Sequence, residues 1–101
     1  MAVEKHEVVW TKRSQLHMKN AFEYISKDSL QNAVKVLEDI VASVNKAVPN
    51  PEFYAADKYK QNNDGSFRAF EKHRYRIAYR FTDKVIRVLR VRHVSREPKE
   101  N

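Results

Sequence analysis

Arginine crowds the C-terminal third of this sequence, with one histidine embedded in it: Arg68, Arg74, Arg76, Arg80, Arg87, Arg90, Arg92, His93 and Arg96. Arginine keeps its charge and presents a rigid fork of donors that matches phosphate or carboxylate oxygens. Histidine titrates near neutrality and can move a proton. Several arginines on one surface give salt-dependent affinity for a polyanion. The whole chain leans the same way, with 20 Lys plus Arg against 13 Asp plus Glu and a net charge of +7 over 101 residues. Such an excess favours an anionic partner: nucleic acid, a membrane surface or an acidic protein. The plainer alternative is a solvated basic face with cross-strand ion pairs, for which Glu71 and Asp83 are nearby acids. Converging arginines rather than scattered lysines favour binding.

Other chemistries are excluded or not expected. There is no cysteine, so disulfides and thiolate metal sites are ruled out. His and carboxylate residues show no metal-ligand spacing, and no metal is expected. With Gly65 the single glycine, a Gly-rich phosphate loop is impossible and no cofactor is expected. No apolar run approaches the roughly 18 residues that span a bilayer, so no transmembrane segment is expected. Of the anionic partners, nucleic acid or a protein is expected and a membrane is not. Met1 to Glu7 contain no apolar core of a secretory signal, and a cytoplasmic protein is expected. Hydrophobic residues at 42% and aromatics at 11% suffice for one core in one domain, residues 1–101.

The elements that must position these groups follow from periodicity. Glu7–Trp10 reads as a strand, and Thr11 caps a helix in which Met18, Ala21, Phe22 and Ile25 form an apolar stripe. Ser29 caps a second helix, where Leu30, Val34, Leu37, Val41, Val44 and Val48 repeat on one face until Pro49 and Pro51 stop it. The two helices should form an antiparallel hairpin with facing stripes. Residues 49–66 form a polar connection ending in the turn signal Asn62-Asn63-Asp64-Gly65. The period then becomes two, with strands expected at 67–72, 73–82 and 85–93, and a charged tail at 94–101 that should be mobile. The fold class is therefore α+β, β-α-α-β-β-β, with the helical hairpin packed on one face of a mostly antiparallel four-stranded sheet and the other face open.

Alternation assigns the faces. Tyr75, Ile77, Tyr79 and Phe81 should meet the helices, leaving Arg74, Arg76, Ala78 and Arg80 outside. In the last strand, Val85, Arg87, Leu89, Val91 and His93 fall on one side and Ile86, Val88, Arg90 and Arg92 on the other. An arginine cluster is expected at one end of the open sheet, with Arg68 and Arg96 able to join.

These strands resemble the RelE/ParE superfamily of bacterial toxins. The resemblance rests on Phe67-Arg68-Ala69-Phe70, on Tyr75-Arg76-Ile77-Ala78-Tyr79-Arg80 and on Val85 through Arg96, with Val8-Val9-Trp10-Thr11 similar to the family's first strand. It covers nearly the whole chain. It implies the toxin of a type II toxin–antitoxin module, with a cognate antitoxin as partner. RelE-like members cut mRNA in the ribosomal A site, and ParE-like members inhibit DNA gyrase.

RNA cleavage needs a group to deprotonate the 2′-hydroxyl, cations at the phosphate and a proton for the leaving 5′-oxygen. The resemblance implies Arg76 and Arg96 as phosphate-binding catalytic arginines and His93 as acid or base. Arg68, Arg74, Arg80, Arg90 and Arg92 are the expected nucleic-acid-binding residues. His6, His17 and His73 match no motif and are expected at the surface. The chain departs from RelE enzymes in having Arg68 and Phe70 where a lysine pair is usual, and no aromatic residue in Glu97 to Asn101. A ribosome-dependent, metal-independent endoribonuclease is the first expectation. A non-enzymatic gyrase inhibitor and an inactive module that only binds antitoxin are the alternatives.

Overall fold

In a computed structural model of the protein, residues 6–95 are described. Their order is β1 (Glu7–Trp10), α1 (Lys12–Ser26), α2 (Leu30–Asn45), β2 (Phe67–Lys72), β3 (Tyr75–Phe81) and β4 (Val85–His93). The β-α-α-β-β-β order is the expected one. The strands form one sheet in the order β1-β4-β3-β2. The β2–β3 and β3–β4 pairings are antiparallel, whereas β1 runs parallel to β4, so the sheet is mixed. Both helices start on the expected caps. The Thr11 hydroxyl accepts the Ser14 N–H at 3.0 Å, and the Ser29 hydroxyl accepts that of Asn32 at 3.0 Å. Ala21, Val36, Ile40 and Val44 pack on Tyr75, Ile77, Val88 and Val91, with Trp10, Met18 and Ile25 at the margin.

Three local expectations are corrected. The first concerns α2, whose buried residues are Ala33, Val36, Ile40, Ser43 and Val44. Leu30, Val34 and Val41, read from spacing as core, are exposed at 61%, 42% and 39%. The apolar arc of α2 is wider than one stripe, and the helix buries its other edge, where the small Ala33 has no exposure and permits close approach. The second concerns the β2–β3 connection. His73 and Arg74, expected inside a strand, form a two-residue turn with φ of 52° and 67° between the paired Lys72 and Tyr75. Positive φ at both positions suits the twist of a hairpin but normally selects Asn-Gly. His73 Nε2 lies 2.6 Å from the Asp39 carboxylate of α2, which ties this strained turn to the helix layer.

The third correction sets the site. Ala78 lies opposite Arg90 and Tyr79 opposite Val88, so Leu89 is an extra residue on β4. This β-bulge reverses the alternation along the strand. Ile86 and Val88 face the helices before it, and Val91 and His93 after it. Arg87, Arg90 and Arg92 therefore share the outer face, which simple alternation had divided between two sides.

The burial of α2 gives a direct check by urea unfolding. Ile40→Ala, at a site with no exposure, should cost about 2–5 kcal/mol. Leu30→Ala should stay within about 0.5 kcal/mol. The reverse order would mean that α2 is rotated onto the other stripe.

Candidate nucleic-acid interface

The outer sheet face carries Arg76 and Arg80 from β3 with Arg87, Arg90 and Arg92 from β4. Arg80 stands directly across from Arg87, and Arg76 across from Arg92. Like charges facing each other across strands destabilise a sheet. Arg80, Arg87 and Arg92 form no ion pair among the described residues. The pKa of Arg90 is pushed below its usual value by burial first and then by the Arg92 and Arg13 charges, against an opposing pull from Asp57. The guanidinium still stays charged at neutral pH.

Contrary to the expectation from sequence, this face is not wholly open, because the connection between α2 and β2 wraps around the sheet edge. On the helix side, Tyr54 stacks on Phe70 with ring centroids 4.0 Å apart and donates its hydroxyl to the Ser43 carbonyl at 2.6 Å. The Tyr79 hydroxyl donates to Pro51 O at 2.6 Å, and burial pushes its pKa up to about 12. The chain then follows the β2 edge, with Asp57 N–H donating to Phe67 O at 2.8 Å and Ala69 N–H to Ala55 O at 3.2 Å. Asn63 locks the return: its amide oxygen accepts from the N–H groups of Gly65 and Phe67, and its NH2 donates to Asp57 O and Phe67 O. Gly65 provides the φ of +98° that this turn requires.

The outcome is a carboxylate placed on the arginine face. Asp57 Oδ1 accepts from Arg76 Nη2 at 2.6 Å, with the two side chains only 6% and 11% exposed. The Tyr59 N–H donates to the same oxygen, and the Arg76 guanidinium lies 4.6 Å from the Tyr59 ring centre. Arg76 is thus held, oriented and partly neutralised.

The expected site residues separate into groups. Arg76, Arg80, Arg90 and Arg92 come together, and Arg87, which sequence reasoning left out, joins them. Arg68 does not: it lies across from Tyr79 on the helix side, donates to Gly65 O and Tyr54 O, and sits 3.8 Å from Glu52. Arg74 belongs to the hairpin turn. His93 pairs with Tyr75, so its side chain lies on the opposite face from Arg76. Its ring meets Tyr75 edge-on at 5.2 Å, and its Nδ1 is engaged by Ser95. Arg96 lies outside the described residues, as does most of the tail expected to be mobile.

His17, expected as a bare surface residue, has a structural task. β1 ends at Trp10 opposite Val88, and α1 takes over the β4 edge from there. Thr11 N–H donates to Val88 O, its hydroxyl donates to Leu89 O, and Val91 N–H donates to His17 Nδ1 at 3.0 Å. A histidine that accepts at Nδ1 must be neutral, with its proton on Nε2. Burial first, then the charges of Arg92, Arg13 and Arg90, lower its pKa from the usual 6.5. Asp57, Tyr59 and His17 carried no motif; their roles depend on what folding sets beside them.

The sequence profile of the ParE toxin of type II toxin-antitoxin systems (parDE) matches residues 8–98. The chain belongs to this family, and so to the RelE/ParE superfamily of toxins. Among solved structures, it is similar to a chain of the chromosomal ParDE TA system from P. aeruginosa. That match has a TM-score of 0.68 at 19% identity and covers 87% of this chain and 95% of that one. No curated protein matches the sequence. No helix among the described residues is long and apolar enough to cross a membrane.

The lowered His17 pKa has a definite pH consequence. The unfolded chain binds this proton more readily than the folded one, so stability rises with pH here. The His17 contribution should be complete above about pH 6.5 and be lost as pH falls below it. His17→Gln, compared with the parent by urea unfolding from pH 7.5 to 5, should lose stability less steeply on acidification. Parallel curves would show that His17 is not linked to folding.

Proposed function

We propose that this toxin acts on ribosome-bound mRNA as a metal-independent endoribonuclease in the cytoplasm, and is held in check by a cognate antitoxin. The observation that carries this reading is the arginine face with Asp57 built into it. Opposed arginine pairs cost stability and are compensated when phosphates lie between them. Asp57 adds a carboxylate able to accept a proton beside a guanidinium able to stabilise a phosphorane. Cleavage would transfer the 2′-hydroxyl proton to Asp57 as the 2′-oxygen attacks phosphorus. The P–O5′ bond breaks, and the leaving 5′-oxygen takes a proton from an acid. Arg76, Arg80, Arg87, Arg90 and Arg92 bind phosphate in this scheme. His93 and Arg96 are carried over from the family resemblance as acid and further phosphate ligand, with His93 acting from the sheet rim.

The antitoxin reading rests on two surfaces. Leu30, Val34 and Val41 leave an apolar ridge on α2 that suits an amphipathic helix, and acidic residues would quench the arginine face.

Gyrase inhibition is the second reading. It is favoured by the separation of Arg76 and His93 on opposite faces and by the partial neutralisation of Arg76, which suit binding without chemistry. An inactive antitoxin-binding module would be harmless when expressed alone.

Induction in a bacterial host, with mapping of mRNA 5′ ends and a gyrase supercoiling assay in parallel, separates these readings. The expected result is new 5′ ends at A-site codons with supercoiling intact. Unchanged 5′ ends with blocked supercoiling would transfer the assignment to gyrase. Asp57→Asn should abolish cutting while leaving RNA binding in place. Arg87→Ala should weaken RNA binding for all sequences and lower its salt slope by roughly one.

A further inference from the structure

Where α1 crosses the end of β4, the structure leaves a cleft of about 470 Å³ outside the arginine face. It falls within the usual size range of ligand sites. Its walls combine rings and hydrogen-bonding groups. Tyr24 from α1 is 63% exposed, and the half-buried His93 ring lines the other side, held edge-on against the buried Tyr75. The Asn20 amide offers both donor and acceptor. His17 also lines the cleft, and because its Nδ1 is used by Val91 N–H, its Nε2 is the donor. No described lining residue is a carboxylate. Arg92 lines the cleft although its register with Arg76 belongs to the outer face, and its charge is felt at His17, so the arginine face adjoins this opening.

Rings for stacking, a bidentate amide, a fixed donor and an adjoining cation correspond to a planar heteroaromatic base bearing a phosphate. A simple anion would not need the rings, and a cationic ligand would meet Arg92. Single-stranded RNA is read in this way, by splayed bases stacked on aromatic side chains and hydrogen-bonded at their edges. We infer that the α1–β4 cleft is a base pocket, which takes one unstacked base of single-stranded RNA while its phosphate lies on Arg92. This rests on the reading of the outer face as an RNA-binding surface, and it adds a sequence-selective subsite to a surface that otherwise reads phosphate alone. Tyr24, Asn20 and the His17 Nε2–H group are the residues that would choose the base.

The test uses the full chain and two probes. Nucleoside 5′-monophosphates are titrated against its amide NMR spectrum, with inorganic phosphate as control, and a single-stranded RNA decamer is bound by fluorescence anisotropy at low salt. At least one of the four nucleotides should shift the Asn20 side-chain amide together with Ala21, Val91 and Ser95, and phosphate should not. Tyr24→Ala, at an exposed position, should weaken that nucleotide at least about fivefold. Tyr24→Phe should retain it, and Arg87→Ala should weaken only the decamer. If the decamer binds but no nucleotide shifts the cleft, or if phosphate alone reproduces the shifts, the base pocket is refuted and the RNA surface stands. Failure of the decamer to bind the parent chain overturns the RNA reading itself.

Discussion

The extra residue at Leu89 in β4 is the constraint on which both sides of the sheet depend. Without it, a strand that buries Ile86 and Val88 against the helices would also turn Arg90 and Arg92 into the core. With it, Val91 and His93 take over the inward positions, and three arginines of β4 share one outer face. A buried, unpaired guanidinium would cost several kcal/mol, far more than the local disruption of one bulge. The bulge sits next to the point where β1 ends and α1 takes over the β4 edge, and Thr11 binds the carbonyl of Leu89 itself. The irregular strand and the change of edge partner therefore form one structural event.

The arginine face is arranged against the interest of the isolated fold. Arg80 opposes Arg87 and Arg76 opposes Arg92, with one nearly buried acid, Asp57, drawn in from the connection. That connection carries much of the organisation: Tyr54 and Tyr79 anchor it under the sheet, Asn63 fixes its return, and its backbone covers the β2 edge. A covered edge also protects β2 from pairing with another chain. The polar segment that looked like a spacer is thus what turns a charged surface into a shaped one.

The exposed ridge of α2 fits the same picture. Leu30, Val34 and Val41 are more apolar than a solvated helix face requires, and a toxin of this family is made alongside an antitoxin. The apolar ridge belongs to the helix layer and the basic face to the outer side of the sheet. A wrapping partner would have to reach both, and a target at the arginine face need reach only one.

Much of this was legible in the sequence because it is encoded locally. Both caps, the order of the elements, the two-residue alternation of β3 and the resemblance to the toxin superfamily were read from short windows, and the structure and family match agree with them. What depended on distant partners was not legible. Equal apolar arcs on α2 could not say which edge would be buried. His73-Arg74 lacks the turn chemistry that its conformation usually demands, and alternation carries no mark of an inserted residue. Asp57 gains its meaning from Arg76, 19 positions away in sequence, and His17 from Val91, 74 positions away. The sequence by itself determined the elements, the basic character and the family. Only tertiary structure decided which arginines share a face and which acid joins them, because strand register and edge pairing are properties of two segments at once.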